Sequence, residues 1–412
     1  MDKTVAELFA GVGGFRVGMN NVTLKNGQTH ESATFKFVWS NQWEPGAKNQ
    51  YAFDCYNKRF NGGSENTNID IAKVDKTTIP DHTVLCGGFP CQDYSVARSL
   101  SQEKGIEGKK GVLWWEINSI LKAKKPPFVF LENVDRLLKS PHKQIGRDFG
   151  IMLRCFYEQG YGVEWRVINA AEYGFTQRRR RTFIFAFRKN TKFFADELQK
   201  SPKDVFLKDG IFARAFKVKN KDNIISEIEI KKPKDMVEFS DSFKADFKNS
   251  GFMIDGVVYT TKTFPVAESP ITLRQMVEEN VDEHYYLDSY AREKFIYLRG
   301  RKKIERTSKD GHKYFYSEGS MSSVDSLDLP GRTMLTSEGS INRSTHIIVD
   351  PQTNRERILT PVECERLNMF PDGWTDTGMP EKMRYFIMGN ALVCGIIKRV
   401  GRQISKIIDQ EA

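Results

Sequence analysis

Long apolar runs are missing from this chain: none of its 412 residues belongs to a stretch approaching the roughly 18–20 residues a membrane helix requires. Metal-ligand spacing is missing too. The six cysteines, Cys55, Cys86, Cys91, Cys155, Cys364 and Cys394, include no Cys-x-x-Cys pair, and the six histidines are scattered. Zinc binding is therefore not expected, and a disulfide framework does not suit a long chain of this kind. No signal peptide precedes the first strand-like segment, Val5 to Phe9, so a cytoplasmic location is expected. Internal repeats and low-complexity tracts are also lacking.

What is present is an ordinary globular composition, 39% hydrophobic and 28% charged, with length enough for two or three domains. Acidic residues are the scarcer sign: the net charge is +10 and the pI near 9.1. Such a surplus favours polyanions without separating nucleic acid from acidic lipid or plain solubility.

Residues 1–188 alternate strand and helix patterns, which predicts a doubly wound α/β sheet. The expected strands are Val5–Phe9, Phe35–Ser40, Val84–Cys86, Phe128–Leu131, Gly162–Val167 and Thr182–Phe187. Helical spacing appears over Gly111–Lys122 and Ile151–Gln159. Residues 189–354 are richer in Lys, Asp, Ser and Gly and predict a second, less regular domain, with a linker at Lys231–Lys234. A cationic run from Arg292 to Arg306, interleaved with Phe295 and Tyr297, is either a solvated face or a binding one. Strand-like pieces follow at Lys313–Tyr316 and His346–Val349. Residues 355–412 become compact again. Thr360-Pro361-Val362-Glu363 predicts a capped helix start, and Met388–Val393 is expected to open the final helix.

Three segments carry chemistry. Cys91 follows a short apolar strand and is flanked by Gly87, Gly88 and Pro90; Glu132 ends a second strand; Arg178–Arg181 enter a third. Open α/β sheets bind ligands beyond the carboxyl ends of their strands. A thiol, a carboxylate and guanidiniums gathered there suit attack on a pyrimidine ring. Near the amino terminus, Gly11, Gly13 and Gly14 form a turn after the first strand, which lets a ligand approach the backbone. Arg16 occupies the place of the last glycine in a nicotinamide fingerprint, so a smaller ligand with a carboxylate, such as S-adenosylmethionine, fits better; a generic tight turn has the same composition. Asp70 and Ile71 suit the edge and face of a nucleoside base, or a turn cap.

Taken in order, these motifs resemble the cytosine-C5 DNA methyltransferases of bacterial restriction–modification systems. The pieces are Phe9–Arg16, Asp70-Ile71, Gly88–Gln92, Glu132–Val134, Gln177–Arg181, Arg355–Phe370 and Gly389-Asn390, and they span Glu7–Phe187 and Arg355–Arg402. The resemblance implies a Rossmann-like S-adenosylmethionine domain over 1–188, a target-recognition domain over 189–354 and a tail, 355–412, returning to the first. Duplex DNA would lie between them, and S-adenosylhomocysteine would be the product.

By position, the resemblance gives Phe9 a stacking role on adenine and Asp70 and Ile71 its edge contacts. Gly11, Gly13, Gly14, Trp43, Pro90, Leu113, Asn390 and Ala391 complete the cofactor set. Gln42 departs from the family, which usually has a ribose-binding glutamate there; an amide loses the charge-assisted pair. Cys91 would add to carbon 6 of cytosine, making carbon 5 nucleophilic. Glu132 would hold the N3 and amino edge, and Arg181, with Arg179, would bind O2 and phosphate oxygens. Alternation along the strand predicts one arginine pair facing inward and the other outward. Gln92 and Ser95 would support the nucleophile loop or touch DNA, and Asn133, Gln177 and Arg178 belong to the DNA side. The base must be flipped out, with Gln102–Gly111 as a closing loop and Ser337–Arg343 as a base-reading loop or an ordinary turn.

An RNA cytosine methyltransferase is the nearest alternative, opposed by the long basic insert. An inactive homologue conflicts with the intact Cys91, Glu132 and arginine set. A monomer without metal is expected, with a restriction endonuclease as functional counterpart by family habit.

Overall fold

The computed structural model describes residues 1–89, 113–221, 224–232, 235–307 and 311–411. Pro90, Cys91, Gln92, Ser95, the Gln102–Gly111 loop and two of the linker residues, Pro233 and Lys234, lie outside the described residues.

The chain builds one ten-stranded sheet. Its first strands are β1 (Thr4–Leu8), β2 (Lys36–Asn41), β3 (Asn66–Thr67), β4 (Val84–Gly88) and β5 (Phe128–Val134). These run parallel, β1 lying between β2 and β4, with β3 outside β2 and β5 outside β4. The chain thus winds to one side of β1 and then to the other. This reversal places a crevice beyond the carboxyl ends of β1 and β4. Next come β6 (Tyr161–Asn169) and β7 (Arg180–Arg188), with β7 antiparallel to both β5 and β6. All six predicted strands of the first 188 residues form, each shifted or lengthened by one to three residues.

Both faces of the sheet are buried, which explains why its strands read as nearly unbroken apolar runs. Val5, Cys86, Phe128, Phe130, Phe183 and Phe185 point to one core; Ala6, Leu85, Val129, Leu131 and Ile184 point to the other. The second core is covered by α3 (Leu113–Lys124) and α4 (Arg147–Glu158), and the first by α1 (Gly14–Met19) and the carboxyl-terminal helix; α2 (Tyr51–Arg59) flanks the glycine turn. Cys55, Cys86, Cys155, Cys364 and Cys394 are buried free thiols, the small hydrophobes expected of them.

Beyond residue 188 the sheet continues. Strands β8 (Ile225–Glu229), β9 (Ser250–Ile254) and β10 (Val257–Thr261) extend it through β9, which pairs antiparallel with β6. No strand was expected there. The turn between β9 and β10 is Asp255-Gly256, both residues at positive φ (46° and 74°), a strong two-residue hairpin signal.

Helix α5 (Ser289–Arg299) leads into a separate ribbon of β11 (Lys302–Thr307) and β12 (Lys313–Glu318). The carboxyl-terminal part starts with α6 (Pro361–Leu367), capped as expected. Thr360 Oγ1 accepts from the Glu363 N–H (3.1 Å) and Glu363 Oε2 accepts from the Thr360 N–H (2.8 Å). Then come α7 (Glu381–Asn390) and α8 (Cys394–Asp409). Here one expectation is corrected: Gly389-Asn390 ends α7 instead of opening the final helix. A Cβ on Gly389 would sit 2.5 Å from the Leu335 and Thr336 backbone, so this glycine serves a close approach. Helix α8 buries Ile396, Ile397, Val400, Ile404, Ile407 and Ile408, and Gly18 of α1 lets it pass within van der Waals distance. Among the described residues no helix is long and apolar enough to cross a membrane.

Candidate active site

Sheet register brings the chemistry together. Gly88, at the end of β4, pairs with Glu132 on β5. A Cβ on Gly88 would lie 3.1 Å from Glu132 Oε2, so glycine keeps that carboxylate close to the backbone leading to Cys91. One residue on, Asn133 Nδ2 donates to the Phe89 carbonyl (2.9 Å) and fixes the same segment. Asn133 is buried, so it holds the Gly88–Phe89 segment from within the protein.

Arg181 reaches Glu132 from β7, its Nε 2.9 Å from Oε1. Burial pushes the Glu132 carboxyl above the usual carboxylate range, and the Arg181 and Arg179 guanidiniums pull it back. The four arginines alternate: Arg179 and Arg181 face in, Arg178 and Arg180 face solvent. Their inner members differ. Arg179 is 2% exposed and donates to the carbonyls of Met334 (2.9 Å) and Gly389 (3.1 Å). Its charge is disfavoured by burial and by Arg181, which bring its pKa down to about 9. Arg179 thus ties the 334–336 backbone to α7, while Arg181 is the arginine on Glu132.

Gln177 is also turned into the protein. It is fully buried, donating to the Leu367 carbonyl (2.8 Å) and Asn368 Oδ1 (2.7 Å) and accepting from the Met334 N–H. Arg178 is exposed, as a phosphate contact requires.

At the other end of the crevice, the turn after β1 holds Phe9 and Gly11 at positive φ (51° and 56°). A Cβ on Gly11 would meet nothing within 4 Å, whereas Gly13 and Gly14 press against Phe60 and Leu392. So Gly11 leaves the surface open for a ligand, and the other two glycines serve packing. Gln42 Oε1 accepts from the Gly11 N–H at 2.8 Å, so this amide grips the turn itself. Asn68 Nδ2 donates to the Gln42 carbonyl and Asn41 Nδ2 to the Ile69 carbonyl (2.9 Å), fastening the Gln42–Trp43 loop to the Ile69–Asp70 loop. Sequence reading gave neither asparagine a role, although Asn68 opens the Asn68–Ile71 stretch; their signal was an amide at the end of a strand and in a turn. Asp70 caps a short helical turn at Ala72, and Ile71 is buried beneath it. Trp43, Leu113 and Ala391 are half-buried and Asn390 is exposed. Beneath the turn, Glu7 is buried, with Tyr56 donating to one carboxylate oxygen (3.0 Å) and the other oxygen unpartnered. Burial raises its carboxyl to about 7.

A sheet edge with a glycine turn at one end and a carboxylate–arginine pair at the other suits methyl transfer to a base, and comparison with known proteins agrees. The family described as C-5 cytosine-specific DNA methylase matches residues 3–406. Type II methyltransferase M.Sau3AI of Staphylococcus aureus is 52% identical over 98% of this chain and 95% of its own. Type II methyltransferase M.HhaI of Haemophilus parahaemolyticus is 35% identical over 44% of this chain and 48% of its own. In fold, the chain resembles the S. pombe Dnmt2 methyltransferase, with a TM-score of 0.58, 14% identity and coverage of 100% and 99%. The chain belongs to the C-5 cytosine-specific DNA methylases.

Proposed function

We propose that the protein methylates carbon 5 of a cytosine turned out of a specific duplex DNA sequence, with Cys91 bonded transiently to carbon 6. Support comes from one arrangement: the Gly88–Phe89 segment that leads to Cys91 is held beside Glu132, and Arg181 is 2.9 Å from that carboxylate. The Cys91 thiolate adds to carbon 6, and the electron pair displaced toward N3 and O2 is met by Glu132 and Arg181. The ring becomes an enamine with a nucleophilic carbon 5. Once carbon 5 carries the methyl group, its proton passes to water, the C5–H electron pair re-forms the ring double bond, and the thiolate leaves carbon 6, restoring aromaticity. Inside a duplex these ring atoms are out of reach, so the base must leave the stack, at a cost of a few kcal/mol.

S-adenosylmethionine, when bound, supplies the electrophilic methyl group. The open turn at Gly11, the exposed Asn390 and the fastened Gln42–Trp43 and Asp70 loops fit such a ligand, with Phe9 toward the adenine. Segments 189–354 and 355–412 would supply target recognition and closure of the cofactor side, although residues 225–261 also continue the catalytic sheet. We further propose a cytoplasmic monomer whose methylation shields DNA from a partner restriction endonuclease.

Incubation with methyl-labelled S-adenosylmethionine tests this on mixed-sequence duplex DNA and on total RNA in parallel. Label recovered as 5-methylcytosine in DNA is the expected result. Label in RNA alone would move the substrate to RNA, and label in neither would leave a protein that binds without transferring.

Gln42 gives a second prediction. A glutamate there accepts the Gly11 N–H with one oxygen and offers the other, charged, to a ribose hydroxyl. Gln42→Glu is expected to tighten S-adenosylmethionine binding about fivefold, a gain of about 1 kcal/mol from a charge-assisted hydrogen bond. Calorimetric titration reads it, and unchanged affinity would place Gln42 away from the ribose.

A further inference from the structure

The ribbon of β11 and β12 pairs with no third strand among the described residues. Directly opposed residues share a face. Lys302, Ile304 and Arg306 therefore lie with Glu318, Tyr316 and Tyr314, and Lys303, Glu305 and Thr307 with Ser317, Phe315 and Lys313.

The first face is anchored at its root. Lys302 Nζ sits 4.5 Å from the Tyr297 ring centre, and Arg343 Nη1 donates to the Leu298 carbonyl (2.8 Å) and to Glu318 (3.3 Å). Every residue of the second face is exposed. Phe315 is 61% exposed, with Lys303 Nζ 4.5 Å from its ring centre. Residues 301–307 and 313–318 carry five cationic side chains against two carboxylates.

A bare two-stranded ribbon is marginal in water, and Phe315, set against the Lys303 ammonium, leaves most of its ring to solvent. Two copies would bring like charges together, so self-pairing is disfavoured. The major groove of duplex DNA admits a two-stranded ribbon, and its flanking phosphates complement this charge.

The ribbon is also referenced to the active site. Arg343 belongs to the 337–346 loop, which follows Met334, and Met334 is held by Arg179 next to Arg181 and Glu132. That loop is internally bonded, Thr345 to the Ser340 carbonyl and His346 to Glu338, both buried. Its Arg343, in the stretch whose composition suits base reading, is spent on the ribbon's root.

We propose that the outer face of this ribbon enters the major groove beside the target cytosine, Phe315 contacting a thymine methyl group while Lys303 holds one phosphate and Lys313 exchanges its exposed ion pair with Glu305 (3.2 Å) for another. This deepens the proposed function, on which it rests, by naming residues that set the methylated sequence.

The test uses the full chain, a random duplex library to define the methylated site, and two variants. Affinity for S-adenosylmethionine reports folding. Phe315→Ala is expected to reduce discrimination against a change at one A·T pair about tenfold. The Lys303→Ala/Lys313→Ala double variant is expected to weaken duplex binding on every sequence. It should also lower the slope of log Kd against log salt by about 1.8, or 0.9 per lost phosphate contact. Parental site preference and salt slope in both variants would overturn the proposal. So would a shift in sedimentation with DNA binding unaltered, which would make the ribbon a self-association surface. Absence of DNA methylation by the parent protein would sink the proposed function, while the binding slopes would still decide the ribbon's role.

Discussion

Cys91→Ser protein is expected to bind S-adenosylmethionine like the parent and to transfer almost no label to duplex DNA, a loss on the order of 10⁶-fold in kcat, as for nucleophile removal in other covalent enzymes. The size follows from chemistry. A serine hydroxyl ionises far less readily than a thiol, and no histidine accompanies Cys91 in the motif to take its proton. Without addition at carbon 6, carbon 5 of cytosine is too weak a nucleophile to take the methyl group. The matching physical readout is a protein–DNA band that survives denaturation with the parent and is missing with the variant. Retention of more than about one hundredth of parental activity would show that a different group attacks the ring.

Glu132→Gln is expected to cost about 10²–10⁴ in kcat, the range for losing a positioned proton donor. Its pH behaviour is the sharper test. Burial raises the Glu132 carboxyl above its ordinary value, so the protonated, donating form persists to higher pH than in a free carboxyl and activity falls as pH rises through the raised value. The amide has no such limb, so its residual rate should be flat over the same interval. Removing Arg181 takes away the cation that opposes burial, so in Arg181→Ala the limb moves to higher pH.

Linkage gives the same sign for stability. A carboxyl with a raised folded pKa contributes stability that is complete below the unfolded value, and that is lost as pH climbs through the folded one. Glu132→Gln should therefore make thermal stability less sensitive to pH above the ordinary carboxylate range. A descending limb identical in parent and variant would assign it to another group.

Much of this site is legible in the amino-acid order alone. The succession of the glycine turn, Cys91, Glu132 and the arginines is a local matter, as is the apolar character of the strands that carry them. Alternation predicts that Arg178–Arg181 split into an inner and an outer pair, because side chains on a strand alternate whatever surrounds it. The Thr360–Glu363 capping box is equally local: all of its donors and acceptors lie within four residues. Other features are not legible in this way. The extension of the sheet by residues 225–261 depends on β9 finding β6, more than eighty positions earlier, although the Asp255-Gly256 turn announces the hairpin.

By itself, then, the sequence determined the family, the candidate site residues and the strands that carry or precede them, since each is written in short-range pattern. Tertiary structure alone decided how the inner side chains are used. Arg179 and Gln177 hold backbone and side-chain groups of residues 334–389, more than 150 positions away, Gln42 grips Gly11, and Arg343 braces a ribbon. Type and spacing give an arginine or a glutamine its donors and acceptors. Which of them remain free for DNA or cofactor is set by buried carbonyls that distant segments deliver, because a buried polar group left unpaired costs more than any contact it might keep in reserve.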